Sequence, residues 1–123
     1  MVKPSHSETD LLHMFLEAVP YALPDVLVFR RSIINTMSVH GFNARNGIPG
    51  QADAYVVGRG GRHLELETKA SRGRLGEAQV RWRARCLALE VPHLVLRAGK
   101  GEAPGDTVAR WVGEVRAAME AGR

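Results

Sequence analysis

Two short runs, Ala52-Asp53-Ala54-Tyr55-Val56-Val57 and His63-Leu64-Glu65-Leu66-Glu67-Thr68-Lys69, are separated only by Gly58-Arg59-Gly60-Gly61-Arg62. Both alternate with the two-residue period of a strand, and the glycine-rich joint leaves room for a tight turn, so the segment reads as a two-stranded antiparallel ribbon. The apolar residues then fix the register. Pairing Val56 with Leu64 and Ala54 with Leu66 gives one continuous apolar face, which a one-residue slip would destroy. The same pairing sets Asp53 opposite Glu67, their Cβ atoms roughly 5 Å apart, with Glu65 and Lys69 on that second face.

Like charges directly opposed destabilise a sheet, so a fold that places them there needs a cation between them or a proton on one. Lys69 would neutralise part of the pair. A plainer reading also follows from alternation alone: Glu65, Glu67 and Lys69 form the solvated face of an amphipathic edge strand.

The flanking chain supplies the other elements. Ser5 or Ser7 followed by Glu8 and Asp10 marks a helix start, and Leu11, Leu12, Phe15, Leu16 and Val19 recur at helical spacing up to Pro20, with Glu17 on this helix. Val26 to Phe29 reads as a strand ending in Arg30-Arg31, and residues 32–51 read as irregular, rich in turn formers from Asn43 to Gly50. After Lys69 come a polar connection, a helical stripe of Leu75, Ala78/Gln79, Trp82, Cys86 and Leu89 ending before Pro92, and a strand His93–Arg97. A glycine-rich loop and a closing amphipathic helix carrying Val108, Trp111, Val112, Val115 and Met119 complete the order α-β-(β-β)-α-β-α.

At 123 residues the chain is read as one domain, 1–123, long enough to bury a core without disulfide or metal staples. Cys86 is the only cysteine, which excludes an intrachain disulfide and a cysteine-type zinc cluster and suits a small buried residue. With no apolar run of membrane length and no signal-peptide pattern, a soluble, cytoplasmic protein is expected. His40, His63 and His93 are too scattered for a zinc site, although His63 could share the acidic face. Trp82 and Trp111 lie on apolar stripes and are expected in a core or a dimer interface. The net charge of +4 is uneven: between Arg59 and Arg85, seven arginines and Lys69 face only Glu65, Glu67 and Glu77. Concentrated arginine is the footprint of a polyanion partner, or else a solvated helix face.

With these motifs in place, the chain resembles the PD-(D/E)XK nuclease superfamily, and within it the stand-alone VRR-NUC type found in phages and bacteria, akin to Holliday-junction resolvases. Gly47-Ile48-Pro49-Gly50-Gln51-Ala52-Asp53 matches the Gly/Pro-rich approach to the first metal aspartate. Glu67-Thr68-Lys69 matches the Glu-X-Lys, and Gly73-Arg74-Leu75 with Gln79 the loop and helix glutamine that follow. The usual Pro-Asp pair is here Ala52-Asp53, with the proline displaced to Pro49. Glu65 is a third carboxylate on the same face, and the lysine two positions after Glu67 favours Glu67 as the ligand.

The resemblance implies a restriction-endonuclease-like α-β-β-β-α-β core with a mixed central sheet and a C-terminal helix. It implies a Mg2+-dependent endodeoxyribonuclease, Mn2+ substituting, that acts on branched or flapped DNA as a homodimer. Asp53, Glu67 and the Thr68 carbonyl would supply the metal ligands, with Glu17 from the first helix direct or one step removed. Lys69 would stabilise a developing hydroxide and the phosphate charge, and Gln79 would hold the nucleophilic water or the phosphate. Arg30, Arg31, Arg45, Arg72 and Arg74 flank this site and are expected to contact nucleic-acid phosphates. Two other classes compete: a nucleic-acid-binding module of the same fold without catalysis, and an accessory protein whose tryptophan stripes face a partner chain.

Overall fold

The computed structural model describes residues 7–121 apart from 32–34, 38–42 and 46–47, with the backbone alone described for 35–37 and 43–45. Helix α1 spans Glu8–Ala22, and its first turn is capped by Ser7, whose hydroxyl accepts the Asp10 amide at 3.1 Å. That bond satisfies one of the amides a helix start leaves free, while Glu8 and Asp10 suit the positive end of the helix dipole. The expected stop at Pro20 is not observed. A proline in the last turn forfeits one hydrogen bond, and beyond it the Leu23 amide still reaches the Val19 carbonyl at 2.7 Å.

Among the described residues six strands follow: β1 (Leu27–Arg30), β2 (Asn35–Met37), β3 (Asn43–Arg45), β4 (Ala54–Val57), β5 (His63–Lys69) and β6 (His93–Arg97). Four of them form a mixed sheet in the order β1-β4-β5-β6, antiparallel except for the parallel β5–β6 pair. β2 and β3 pair antiparallel as a separate two-stranded sheet, inside a stretch whose sequence reads as irregular. Three-residue strands are too short to show a two-residue period, which is why the pattern missed them.

The hairpin takes the register its apolar residues demand, Ala54 against Leu66 and Val56 against Leu64. A short 3-10 turn at Arg59–Gly61 joins the strands, with Gly60 and Gly61 at φ +70° and +77°. β5 lies between β4 and β6, so it is an interior strand and not a solvated edge. Both of its faces are covered, and Glu65 and Glu67 are each only 2% exposed.

Ala54, Val56, Leu64, Leu66 and Leu96 turn to one side of the sheet, where α1 and the C-terminal helix cover them. From α1 come Leu11, Leu12, Phe15 and Val19; from the C-terminal helix come Val108, Trp111, Val112, Val115 and Met119. Phe15 meets Trp111 edge-on, ring centroids 6.0 Å apart, and the Trp111 indole N–H donates to the Arg97 carbonyl at 3.1 Å. The buried indole thus keeps its polar atom bonded while its ring lies in the core between the helices and the sheet.

The parallel β5–β6 pair requires a crossover, supplied by α2 (Glu77–Ala88), which packs against β6. The last helix is α3 (Pro104–Glu120), with its proline in the first turn, where a missing amide costs nothing. α2 buries Cys86, as expected of a small apolar residue, but Leu89 at its end is 72% exposed, so the expected stripe is only partly covered. The arrangement is α/β, with a four-stranded mixed sheet and a C-terminal helix. Among the described residues no helix is long and apolar enough to cross a membrane.

Candidate functional site

On β5 the odd-numbered residues share the face away from the main core. Glu65 N–H donates to Pro92 C=O at 2.9 Å and Ala98 N–H to Lys69 C=O at 2.9 Å, so these residues turn their backbone groups to β6 and its continuation. The even-numbered residues therefore turn theirs toward β4, and Thr68 turns its own toward Asp53. Just ahead of β4, Asp53 Oδ2 accepts the Thr68 N–H at 2.8 Å and the Thr68 hydroxyl at 2.9 Å. The aspartate thus continues the ladder with its side chain, and its carboxylate is fixed beside Thr68 and Glu67.

Glu67 is the unusual group. Its Oε1 accepts from Gln79 Nε2 at 2.8 Å, while its buried Oε2 has no hydrogen-bond partner among the described residues. Burial, together with the charge and contact of Asp53, pushes its carboxyl from the ordinary 4.5 up to about 8, against the opposing pull of Lys69. Near neutral pH such a carboxyl keeps its proton unless a cation takes its place. Gln79 is itself held, because its Oε1 accepts the Gly76 N–H at 2.9 Å at the start of α2.

The neighbouring acid has the opposite environment. Glu65 receives two terminal nitrogens of Arg31, at 2.6 and 3.1 Å, and its Oε2 also meets His63 Nε2. Burial alone would raise its pKa, but the Arg31 fork and His63 outweigh it and hold the carboxyl below its usual range. Arg31 also donates to the Ala52 carbonyl at 3.1 Å and lies 4.6 Å from the centre of the Tyr55 ring. Phe29, Tyr55 and His63 stack in series across the sheet, with centroids 4.9 and 5.3 Å apart.

Of the residues named from the sequence, Asp53, Glu67, Thr68 and Gln79 are brought together, and Lys69 is close enough for its charge to favour the ionised form of Glu67. Glu17 is not. It is exposed and lies nine residues beyond Glu8, about half a turn round α1 and ~13 Å along its axis. The glutamate that α1 does deliver is Glu8, whose Oε1 accepts the Ala70 N–H at 2.8 Å and whose charge also raises Glu67. Its position at the helix start carries no spacing signal relative to residues sixty places later.

The arginines divide. Arg31 is not free for phosphate, because its fork is committed to Glu65. Arg30 is exposed and meets His13 Nε2 at 2.8 Å, and Arg72 and Arg74 are exposed on the connection between Lys69 and α2. The Arg45 side chain lies outside the described residues. A cavity of about 90 Å³ is bounded by Glu8, Thr9, Leu12, Arg30, Arg31, Asp53 and Thr68. A larger hollow of about 210 Å³, between the α1–β1 turn and the end of α3, holds none of these groups.

No protein-family model and no curated protein matches this chain.

Paired carboxylates of this kind are donors a divalent ion would use. Among the described residues no three His, Cys, Asp or Glu side chains converge as a ready-made cage. Magnesium does not require one, since it is commonly held by one or two carboxylates and completes its shell with water and substrate oxygens. Asp53 and Glu67, with the Thr68 carbonyl on the same side of β5, meet that lesser requirement. Glu67 Oε2, a hard oxygen donor, has no hydrogen-bond partner among the described residues, and the donor set fits.

Proposed function

We propose that this chain is a metal-dependent endonuclease that hydrolyses DNA phosphodiester bonds, with a preference for branched or flapped DNA. The observation that carries the reading is a buried glutamate whose Oε2 has no hydrogen-bond partner among the described residues, set against a second carboxylate and followed two residues later by a lysine. Uncompensated buried acid costs stability, and a divalent cation held by these carboxylates would remove that cost while serving phosphoryl chemistry. The order of the sheet, with α1 and α3 on one face and α2 on the other, supports a restriction-endonuclease-like core.

In this mechanism Asp53, Glu67 and the Thr68 carbonyl would hold a Mg2+ ion, which would supply Lewis-acid stabilisation of the phosphate charge. Asp53 is pre-oriented by both Thr68 donors, so no reorganisation is needed as charge develops. Gln79 fixes the direction of Glu67. The Lys69 ammonium, on the face shared with Glu67, stabilises negative charge building on the phosphate oxygens and on the attacking water as it loses its proton. Arg30, Arg72 and Arg74 take flanking phosphates; Arg31 instead keeps Glu65 ionised and out of the metal site.

The test is cleavage of labelled single-stranded, duplex, flap and four-way-junction DNA with Mg2+ or Mn2+, comparing wild type with Glu67→Ala. Metal-dependent cutting lost in the variant is expected. Tight binding by the wild type without cutting on any substrate would replace this reading with that of a non-catalytic nucleic-acid-binding module.

A further inference from the structure

Gly50 lies in a turn closed by the Gln51 amide on the Ile48 carbonyl (3.1 Å) and by the Ile48 amide on Gln51 Oε1 (3.2 Å). Its φ is +80°, and its Cα presses against the first turn of α2. A Cβ placed there would stand 2.1 Å from the Ala78 carbonyl carbon and oxygen and 2.6 Å from the Gln79 nitrogen. These are main-chain atoms, which cannot rotate aside as a side-chain tip can, so any other residue must displace the helix turn itself. That turn carries Gln79, which contacts Glu67 and anchors on Gly76.

We infer that Gly50 is a positioning residue: its missing side chain is the seat that lets the first turn of α2 close over the acid pair and hold Gln79 on Glu67. Asp53 follows three residues after Gly50, so one contact ties the segment delivering the first acid to the helix orienting the second. The effect is distinct from backbone freedom. Gly60 also has a positive φ, +70°, yet a Cβ added there meets no heavy atom within 4 Å. Gly60→Ala therefore carries the conformational penalty without the collision, and Gly50→Ala carries both.

The experiment compares wild type, Gly50→Ala and Gly60→Ala by NMR of 15N-labelled, metal-free protein, and then by Mn2+ titration calorimetry. The Gln79 side-chain amide, assigned by its loss in Gln79→Ala, is expected away from the free-glutamine position in wild type and Gly60→Ala. In Gly50→Ala it is expected to collapse to the free position, with Mn2+ affinity lowered about tenfold or more. A Gln79 signal unshifted in folded Gly50→Ala overturns the inference. Only the Mn2+ arm rests on the proposed function: a wild type that binds no Mn2+ defeats the metal reading and leaves the Gln79 comparison intact. Should Gly50→Ala not fold, the wild type decides by the cross-relaxation peak between Gly50 Hα and the Gln79 backbone amide, whose presence supports the seat and whose absence overturns it.

Discussion

Glu67→Gln should stabilise the metal-free protein, and by an amount that depends on pH. In the native state the Glu67 carboxyl titrates at about 8, whereas an ordinary glutamate titrates at 4.5. Between those values the folded chain holds a proton that the unfolded chain has released. The native state binds the extra proton, so stability falls as pH rises through this interval, at up to ~1.4 kcal/mol per unit. The accumulated cost is under about 1 kcal/mol at pH 5 and about 3 kcal/mol at pH 7. Glutamine mimics the protonated acid without titrating: it keeps an acceptor for Gln79 and gains a donor toward Asp53.

Urea unfolding in EDTA at pH 5 and pH 7, for wild type and variant, measures the difference directly. His93, whose pKa burial lowers, contributes the opposite slope below its ordinary 6.5, but it is present in both proteins and cancels. Glu67→Gln should exceed wild type by about 3 kcal/mol at pH 7 and by much less at pH 5. Saturation with Mg2+ at a hundred times its Kd should return ~2.7 kcal/mol to the wild type and little to the variant. Equal stabilities at both pH values, or a gap that widens toward acid, would refute the claim that Glu67 is a buried acid without compensation.

Other consequences follow from the same contacts. Lys69→Ala should lower metal-dependent cleavage by roughly a hundredfold or more while leaving fold and DNA binding in EDTA intact, read by gel assay and retention on labelled duplex. Glu8→Ala should reduce cleavage roughly tenfold and Glu17→Ala not at all, since only Glu8 reaches the acid pair; the reverse ranking in the same assay would remove Glu8 from the site. Arg31→Ala strands the buried Glu65 and should cost about 3–5 kcal/mol in urea unfolding, whereas exposed Arg30→Ala should stay within about 0.5 kcal/mol. Trp111→Ala empties the contact among α1, α3 and the sheet and should cost about 3–5 kcal/mol by the same measurement.

Much of this fold is local in origin, and those parts are legible in the chain. The 54–66 and 56–64 pairing follows from four apolar residues, because the two-residue period makes any slip expose them. The approach of Asp53 to Glu67 follows from the same pairing. What the alternation could not convey is what covers the second face. A leucine–glutamate alternation describes an edge strand in water and an interior strand under a helix equally well, and only the parallel partner β6 and the crossover α2 decide between them. The role of Glu8 and the pairing of Arg31 with Glu65 were hidden for a related reason. Their partners, Ala70 and Glu65, lie 62 and 34 residues away, where no periodicity connects them.

Adjacent buried acids treated so differently indicate where this fold accepts a cost. Glu65 and Glu67 stand on one strand and one face, equally hidden from water, yet Glu65 is given an arginine fork and a histidine while Glu67 is given another carboxylate. A packing role explains the first, because paired buried charge is tolerated once its hydrogen bonds are met. It does not explain the second, since any apolar residue of similar size at 67 would relieve both the desolvation and the repulsion. The pattern also divides the cations. Arg31, the residue best shaped to neutralise a carboxylate, goes to Glu65, and Lys69 is left beside Glu67 as a point charge that moderates the repulsion without cancelling it. Such an arrangement preserves a deficit of positive charge at one buried point. A divalent ion held there would cancel it, so on this reading such an ion would stabilise the fold.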